Sequence, residues 1–174
     1  MEYVAVTARC TLGIVFLVAV VGKVRGRAAF EAFRRSVPAL VPLPRGRVPA
    51  ALPAAVVAVE SATVVLLTTR STAPAGLVLA GAALLAFSLG IGHALRSGTR
   101  ASCNCFGTPA APLGRRHLVR NLALVAVAVA GAATSYGDAR LHVAGAVLAI
   151  AAGGLLALLA VFTDDLADLF AKPH

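Results

Sequence analysis

Charged residues are scarce in this sequence, and their scarcity excludes a soluble globular domain. Only 13% of the 174 residues are charged, while 59% are hydrophobic. Typical soluble chains carry about a quarter charged residues. The apolar runs are also long enough to cross a bilayer, which takes roughly 20 residues for each helix. The chain is therefore predicted to be an integral membrane protein with the lipid bilayer as its surroundings.

Acidic residues and cysteines are scarce as well. The sequence has 7 acidic residues against 16 lysines and arginines, which gives a formal net charge of +9. Most of the basic residues lie in two connectors, as expected of cytoplasmic loops under the positive-inside rule, so the charge does not indicate nucleic-acid binding. Three cysteines cannot all pair within the chain, which argues against a structural disulfide framework.

The apolar runs predict an all-α membrane protein, a compact bundle of about five transmembrane helices (four to five) in a single domain over residues 1–174. The predicted spans are residues 4–22, 48–69, 75–95, 117–135 and 141–162. After the first span, Phe30, Phe33 and Val37 recur at helical spacing while charged residues take the other face. This pattern predicts a short amphipathic helix lying in the membrane interface. Pro38 and the prolines after it are expected to end that helix.

Two charged residues inside the predicted spans are informative, because an ionisable side chain within a bilayer is costly and usually has a partner. Arg9 lies in the first span beside Cys10, and Glu60 lies in the second. If the two spans are antiparallel neighbours, a rise of about 1.5 Å per residue brings the two charges to depths that differ by about 5 Å. We therefore expect an Arg9–Glu60 pair next to Cys10, with a structural role as the simpler interpretation.

The connector between the third and fourth spans, residues 96–116, carries Cys103 and Cys105 one residue apart. Nearby positive charge favours the thiolate, the form that attacks disulfides and binds metals. A Cys-x-Cys disulfide closes a tighter ring than Cys-x-x-Cys, and strain makes a disulfide easier to reduce. The two cysteines are therefore the candidate catalytic residues of a redox dithiol. Candidate supporting residues around them are His93, Arg96, Arg100, His117, Arg120 and Asn121.

Other interpretations of the two cysteines stay open. Free cysteines are often small buried hydrophobes, although this connector is polar. A metal site is less favoured, because Cys-x-Cys supplies two ligands where structural zinc takes four, and His93 and His117 would have to complete the set. The thiols are also compatible with a carrier of metal or sulfur, or with a non-enzymatic assembly or anchoring subunit in which they are incidental.

These features together resemble the MauE membrane proteins of methylamine utilisation, which are related to the broader DoxX-type bundle proteins. The similarity covers about residues 8–124 and rests on several short motifs. They are an early arginine in the first span, Gly22-Lys23 at its end, Glu60 in the second, Cys-x-Cys-Phe-Gly after the third, and Arg120-Asn121 opening the next. The resemblance implies that Cys103 and Cys105 are a redox pair. It also implies that the protein acts with a thioredoxin-like partner in forming or maintaining disulfides of exported proteins.

The resulting prediction is a membrane thiol–disulfide oxidoreductase. It would exchange electrons between a thioredoxin-like partner or an exported protein and a membrane quinone or a thiol donor. The composition is rich in alanine and arginine, with Lys23 and Lys172 as the two lysines. That usage suggests a bacterial origin, and hence a multi-pass protein of the inner (plasma) membrane.

Overall fold

The computed structural model describes residues 1–41, 48–97, 114–135 and 142–163, and these residues form six helices without any strand. The helices are α1 (Glu2–Val24), α2 (Arg27–Leu40), α3 (Leu52–Thr68), α4 (Ala73–Arg96), α5 (Arg115–Thr134) and α6 (Val143–Val161). Four of them, α1, α4, α5 and α6, are long and apolar enough to cross a membrane, and α3 is a shorter apolar helix. The prediction of an all-helical membrane bundle is confirmed.

Prolines set several of the helix boundaries. Pro53 and Pro74 lie in the first turns of α3 and α4, where a missing backbone N–H costs no helical hydrogen bond. Pro38, in contrast, lies inside α2, which continues to Leu40. The helix ends two residues after Pro38, and Val41 is extended, in agreement with the prediction that Pro38 and the prolines after it end this helix. A proline in the last turn removes one hydrogen bond but keeps a helical φ, and the turn survives.

Helix α1 is the centre of the bundle and contacts each of the other five helices. Its neighbours approach closely at glycines. A Cβ atom placed on Gly131 of α5 would lie 2.5 Å from the Cβ of Ala8, and one on Gly153 of α6 would lie 2.7 Å from the Cβ of Cys10. Small residues of this kind let membrane helices pack backbone to backbone. The α1–α5 and α1–α6 seams are therefore stabilised by van der Waals contact.

These contacts also fix the helix directions. Ala8, near the start of α1, meets Gly131, near the end of α5, so the two helices are antiparallel. Tyr3 lies against Gly145 and Cys10 against Gly153, so α6 runs parallel to α1. We call the two ends of the bundle the Arg9 end and the Lys23 end. The Lys23 end contains the last turn of α1, all of α2, the starts of α3 and α5, and the end of α4.

Helix α2 confirms the predicted amphipathic segment. Phe33 and Val37 are buried, whereas Arg34 and Arg35 are exposed. The apolar side of α2 packs on the bundle, where a Cβ atom on Gly90 of α4 would lie 2.8 Å from the carbonyl oxygen of Leu40. Helix α2 therefore closes the Lys23 end from the side.

Adjacent glycines of α6 provide a test of the α1–α6 seam. We expect Gly153→Ala to destabilise the protein by about 1–3 kcal/mol, because the added methyl group meets the Cβ of Cys10 and the carbonyl oxygen of Thr7. Gly154→Ala is the matched control, since nothing lies within 4 Å of the added atom. The free energy of unfolding of each variant is measured in detergent, with circular dichroism as the signal that monitors unfolding. Equal stability of the two variants would contradict the packing described here.

Candidate functional site

An ion pair is buried in the apolar interior at the Lys23 end. The Nζ atom of Lys23 donates to both carboxylate oxygens of Glu60, at 2.7 and 2.9 Å. The two residues are only 1% and 2% exposed. Moving charges out of water is expensive, and close pairing with good hydrogen-bond geometry is what makes such a burial tolerable. The pair therefore ties the last turn of α1 to the middle of α3.

The position of Lys23 follows from the direction of helical side chains, which tilt towards the N-terminus of their own helix. Lys23 lies in the last turn of α1, and its Nζ atom also lies 3.4 Å from the carbonyl oxygen of Ala19, one turn back. The ring of Phe33 from α2 lies below the ammonium group, 5.1 Å from centroid to Nζ. The long side chain thus reaches back into the bundle, beneath α2.

Helix α5 adds further polar groups to this region. His117, Arg120, Asn121 and Leu124 are all buried, and their spacing puts them on one face of the helix. A small inner cavity of about 30 Å³ is lined by Lys23, Glu60, Arg120 and Asn121 together with apolar residues. That volume is enough for a water molecule. We call these four lining residues the polar centre.

The candidate site residues named from the sequence have different locations. Arg120 and Asn121 line the cavity with Glu60, and His117 is buried on the same face of α5. His93 and Arg96, in the last turn of α4, are exposed. Arg100, Cys103 and Cys105 lie outside the described residues. Within the described ranges, no group of three or more His, Cys, Asp or Glu residues could hold a metal ion.

The predicted Arg9–Glu60 pair was wrong. Arg9 lies at the other end of the bundle, where its Nε and Nη2 atoms donate to the carbonyl oxygen of Leu67 at 3.2 and 3.1 Å, and Nη2 also donates to Thr68. The last carbonyl groups of a helix lack partners within it and carry partial negative charge, so the end of α3 suits an arginine. Cys10 is half-buried against Gly153 of α6 rather than beside Glu60.

Sequence reasoning missed Lys23 because it assigned this residue to the basic connector. The depth argument compared backbone positions and ignored the reach of a lysine side chain. One signal was available, since Lys23 and Lys172 are the two lysines of a chain that otherwise uses arginine. A lysine directly at the end of an apolar run, with a glutamate inside the next run, is the pattern that identifies this pair.

The polar centre lies within the part of the chain that matches a known protein family. A family model described as Methylamine utilisation protein MauE matches residues 1–134. The chain belongs to the MauE family. The matched region contains Lys23, Glu60, Arg120 and Asn121, and it ends at the last residue of α5, so α6 follows it. No curated protein and no solved structure matches the chain.

The buried ion pair predicts a characteristic pattern of stability. We expect Glu60→Gln to destabilise this MauE protein by about 3–5 kcal/mol, because the charge of Lys23 then stays buried without its counter-ion. The double variant Lys23→Met/Glu60→Gln is expected to be more stable than Glu60→Gln alone. Glu31→Gln is the matched control at an exposed glutamate of α2, where a change within about 0.5 kcal/mol is expected. Detergent unfolding of these three variants, of Lys23→Met alone and of the unchanged protein measures this. A double variant as unstable as the sum of its two single changes would exclude the pair.

Proposed function

We propose that this MauE protein is a membrane thiol–disulfide oxidoreductase whose redox pair is Cys103 and Cys105. The observation that carries the proposal is the position of the polar centre. Helix α4 ends at Arg96 and α5 begins at Arg115, so the connector with both cysteines leaves and rejoins the bundle at the Lys23 end. The helix ends that flank this connector therefore lie at the same end of the bundle as the buried ionisable groups.

The proposed reaction transfers two electrons and two protons. A thiolate of a partner dithiol attacks the Cys103–Cys105 disulfide and forms a mixed disulfide, and the second partner thiol then displaces the bound cysteine. The partner leaves with a disulfide, and the two cysteines of this chain become thiols. A membrane quinone takes up the two electrons and two protons that the thiols release when their disulfide forms again. The opposite direction, with a thiol donor in place of the quinone, is the alternative.

The chemistry of the polar centre supports this assignment. Ionisable residues inside a membrane are costly, and they commonly mark proton relays and substrate paths. The seams at Gly131 and Gly153 show that this bundle joins helices by close contact of small residues and by hydroxyl groups, without an ion pair at either seam among the described residues. Helix packing by itself does not require a buried lysine–glutamate pair next to Arg120 and Asn121. The pair supplies groups that can donate and accept protons near a redox reaction that moves two of them.

The family suggests the wider setting of this activity. Its description refers to methylamine utilisation, and we propose that the partner is a thioredoxin-like protein of that process. The relation to DoxX-type proteins and the location in a bacterial inner membrane belong to the same proposal. The side of the membrane that holds the connector determines the compartment of the partner, and the basic connectors favour the cytoplasmic side.

The redox role of the two cysteines can be tested by substitution. We expect Cys103→Ser and Cys105→Ser each to abolish disulfide exchange with a dithiol substrate, because neither remaining thiol can form the internal disulfide. Cys10→Ser is the matched control and is expected to keep full activity, since Cys10 lies on the α1–α6 seam. Normal exchange in either connector variant would overturn the proposal.

Labelling with a membrane-impermeant maleimide in a Cys10→Ala background shows which side of the membrane Cys103 and Cys105 face and whether they are oxidised. Labelling of intact cells only after mild reduction would indicate an oxidised pair on the outer face. Labelling only after permeabilisation, without reductant, would indicate reduced cytoplasmic thiols and would favour the reverse direction of transfer.

A second candidate function is a non-enzymatic assembly subunit, which the exposed basic face of α2 favours. Arg34 and Arg35 are exposed while the opposite side of the helix packs on the bundle. This function predicts that Arg34→Glu/Arg35→Glu prevents co-purification of a partner, and that serine at Cys103 and Cys105 has no effect. Under the redox proposal the serine variants lose activity, so the two functions are distinguished by the same set of proteins.

A further inference from the structure

A groove lies on the side of the bundle between α2, α3 and α4. Its volume is about 300 Å³, at the lower end of the range for small-molecule sites. Among the described residues that line it, Glu60 has the one polar side chain, and both of its carboxylate oxygens accept hydrogen bonds from Lys23. The lining therefore offers a ligand hydrocarbon surface and no side-chain hydrogen-bond donor.

The groove runs along the helix axes rather than across them. On α3 its lining extends from Leu52, at the start of the helix, to Glu60. At a rise of about 1.5 Å per residue, the two positions are about 12 Å apart. The hydrocarbon of one leaflet is about 15 Å deep, half of a core of about 30 Å. The groove therefore follows one leaflet from its polar surface towards the middle of the bilayer, which is the course of a lipid acyl chain.

The groove is open on the flank of the helices. Ala55 and Val59 of α3 and Ala86 of α4 line it and are exposed. In a membrane bundle, exposed apolar residues on such a flank face the hydrocarbon of the lipid, so an acyl chain can enter sideways. Because lipid tails are about as apolar as leucine, this entry has little hydrophobic driving force. Selectivity for one lipid over another must therefore come from the head group.

Two polar side chains continue the open flank of the groove at the end of α4. His93 lies seven residues, or about two turns, after Ala86 and hence on the same side of the helix, and Arg96 is its neighbour three residues on. Both lie in the last turn of α4 and are exposed. A guanidinium group binds phosphate oxygens through paired hydrogen bonds. These two residues are therefore placed for the phosphate of a lipid whose chain lies in the groove.

The exposed charges at this end of the bundle favour an anionic lipid. Within the described ranges, one exposed acidic residue of the Lys23 end, Glu31, stands against six exposed arginines, which are Arg25, Arg27, Arg34, Arg35, Arg96 and Arg115. Basic residues close to a membrane surface attract anionic head groups, and their contributions add up. The surface around the groove therefore has the charge that complements an anionic head group.

We propose that this face of the bundle binds an anionic phospholipid, with one acyl chain in the groove and the phosphate at His93 and Arg96. The chain covers Glu60 from the lipid side and keeps water away from its ion pair with Lys23. The site needs no electron transfer, so it goes beyond the proposed redox function and does not depend on it.

Quenching of tryptophan fluorescence by brominated lipids tests the site, because the chain itself has no tryptophan. Phe87→Trp introduces one in the groove lining. Leu85→Trp is the matched control, since Leu85 is exposed at nearly the same depth of α4 and lies outside the groove lining. Each full-length variant is placed in vesicles of phosphatidylglycerol and phosphatidylcholine, with bromine on the chains of one lipid at a time. Ala55→Trp, also in the lining, serves if Phe87→Trp does not fold.

We expect Phe87→Trp to report about a fivefold preference for phosphatidylglycerol, which is what one basic residue near a membrane surface contributes. The Leu85→Trp control is expected to stay within twofold of equal binding. Adding His93→Gln/Arg96→Gln to Phe87→Trp is expected to remove the preference. Adding Arg115→Gln instead, at an exposed arginine of the same end, is expected to keep it.

Equal preferences at the two tryptophans would overturn the proposal, because the groove would then hold the same lipids as the rest of the bundle surface. Absence of quenching in Phe87→Trp by either brominated lipid would also overturn it, since no chain would occupy the groove. A preference that survives His93→Gln/Arg96→Gln would overturn the assignment of the phosphate to these side chains. All of these measurements concern lipid binding, so failure of disulfide exchange would remove the redox function and leave the lipid site intact.

Discussion

The buried ion pair between Lys23 and Glu60 is the interaction on which the arrangement of this bundle depends. A charge in an apolar interior is tolerated only when its partner is in place, so the pair fixes the register of α1 against α3. The aromatic ring of Phe33 below the ammonium group extends this constraint to α2, and Arg120 and Asn121 extend it to α5. The small residues at the seams determine how closely two helices approach. The ion pair determines which residues of α1 and α3 lie beside each other along the bundle axis.

Each end of the bundle has an ion pair, but both partners are buried only at the Lys23 end, since Arg70 at the other end is exposed. At the Arg9 end, the Arg9 guanidinium group meets the terminal carbonyl groups of α3, and Arg70 pairs with Glu2. Glycine contacts and two threonine hydroxyls join α6 to α1 there. At the Lys23 end, the charged and polar side chains of the polar centre are enclosed by apolar ones.

Much of the fold could be predicted because it depends on local patterns. Apolar runs indicated the membrane helices, and the spacing of Phe30, Phe33 and Val37 indicated α2. The partner of Glu60 could not be predicted in this way. The pairing depends on how far the side chain of Lys23 reaches back from the last turn of α1 towards the middle of α3. The redox pair at Cys103 and Cys105 stays a prediction, since both residues lie outside the described ranges.

The parallel packing of α6 on α1 has a consequence for how the protein is made. Helices of a membrane protein are synthesised in chain order, and the N-terminal part folds first. All four residues of the polar centre lie in α1, α3 and α5, so the centre can be completed before α6 leaves the ribosome. Helix α6 then docks onto a finished core, through Thr7, Cys10 and Thr11 of α1. The last helix therefore stabilises α1 after the polar centre has formed, and its docking depends on the glycine seam and on the two threonine hydroxyls.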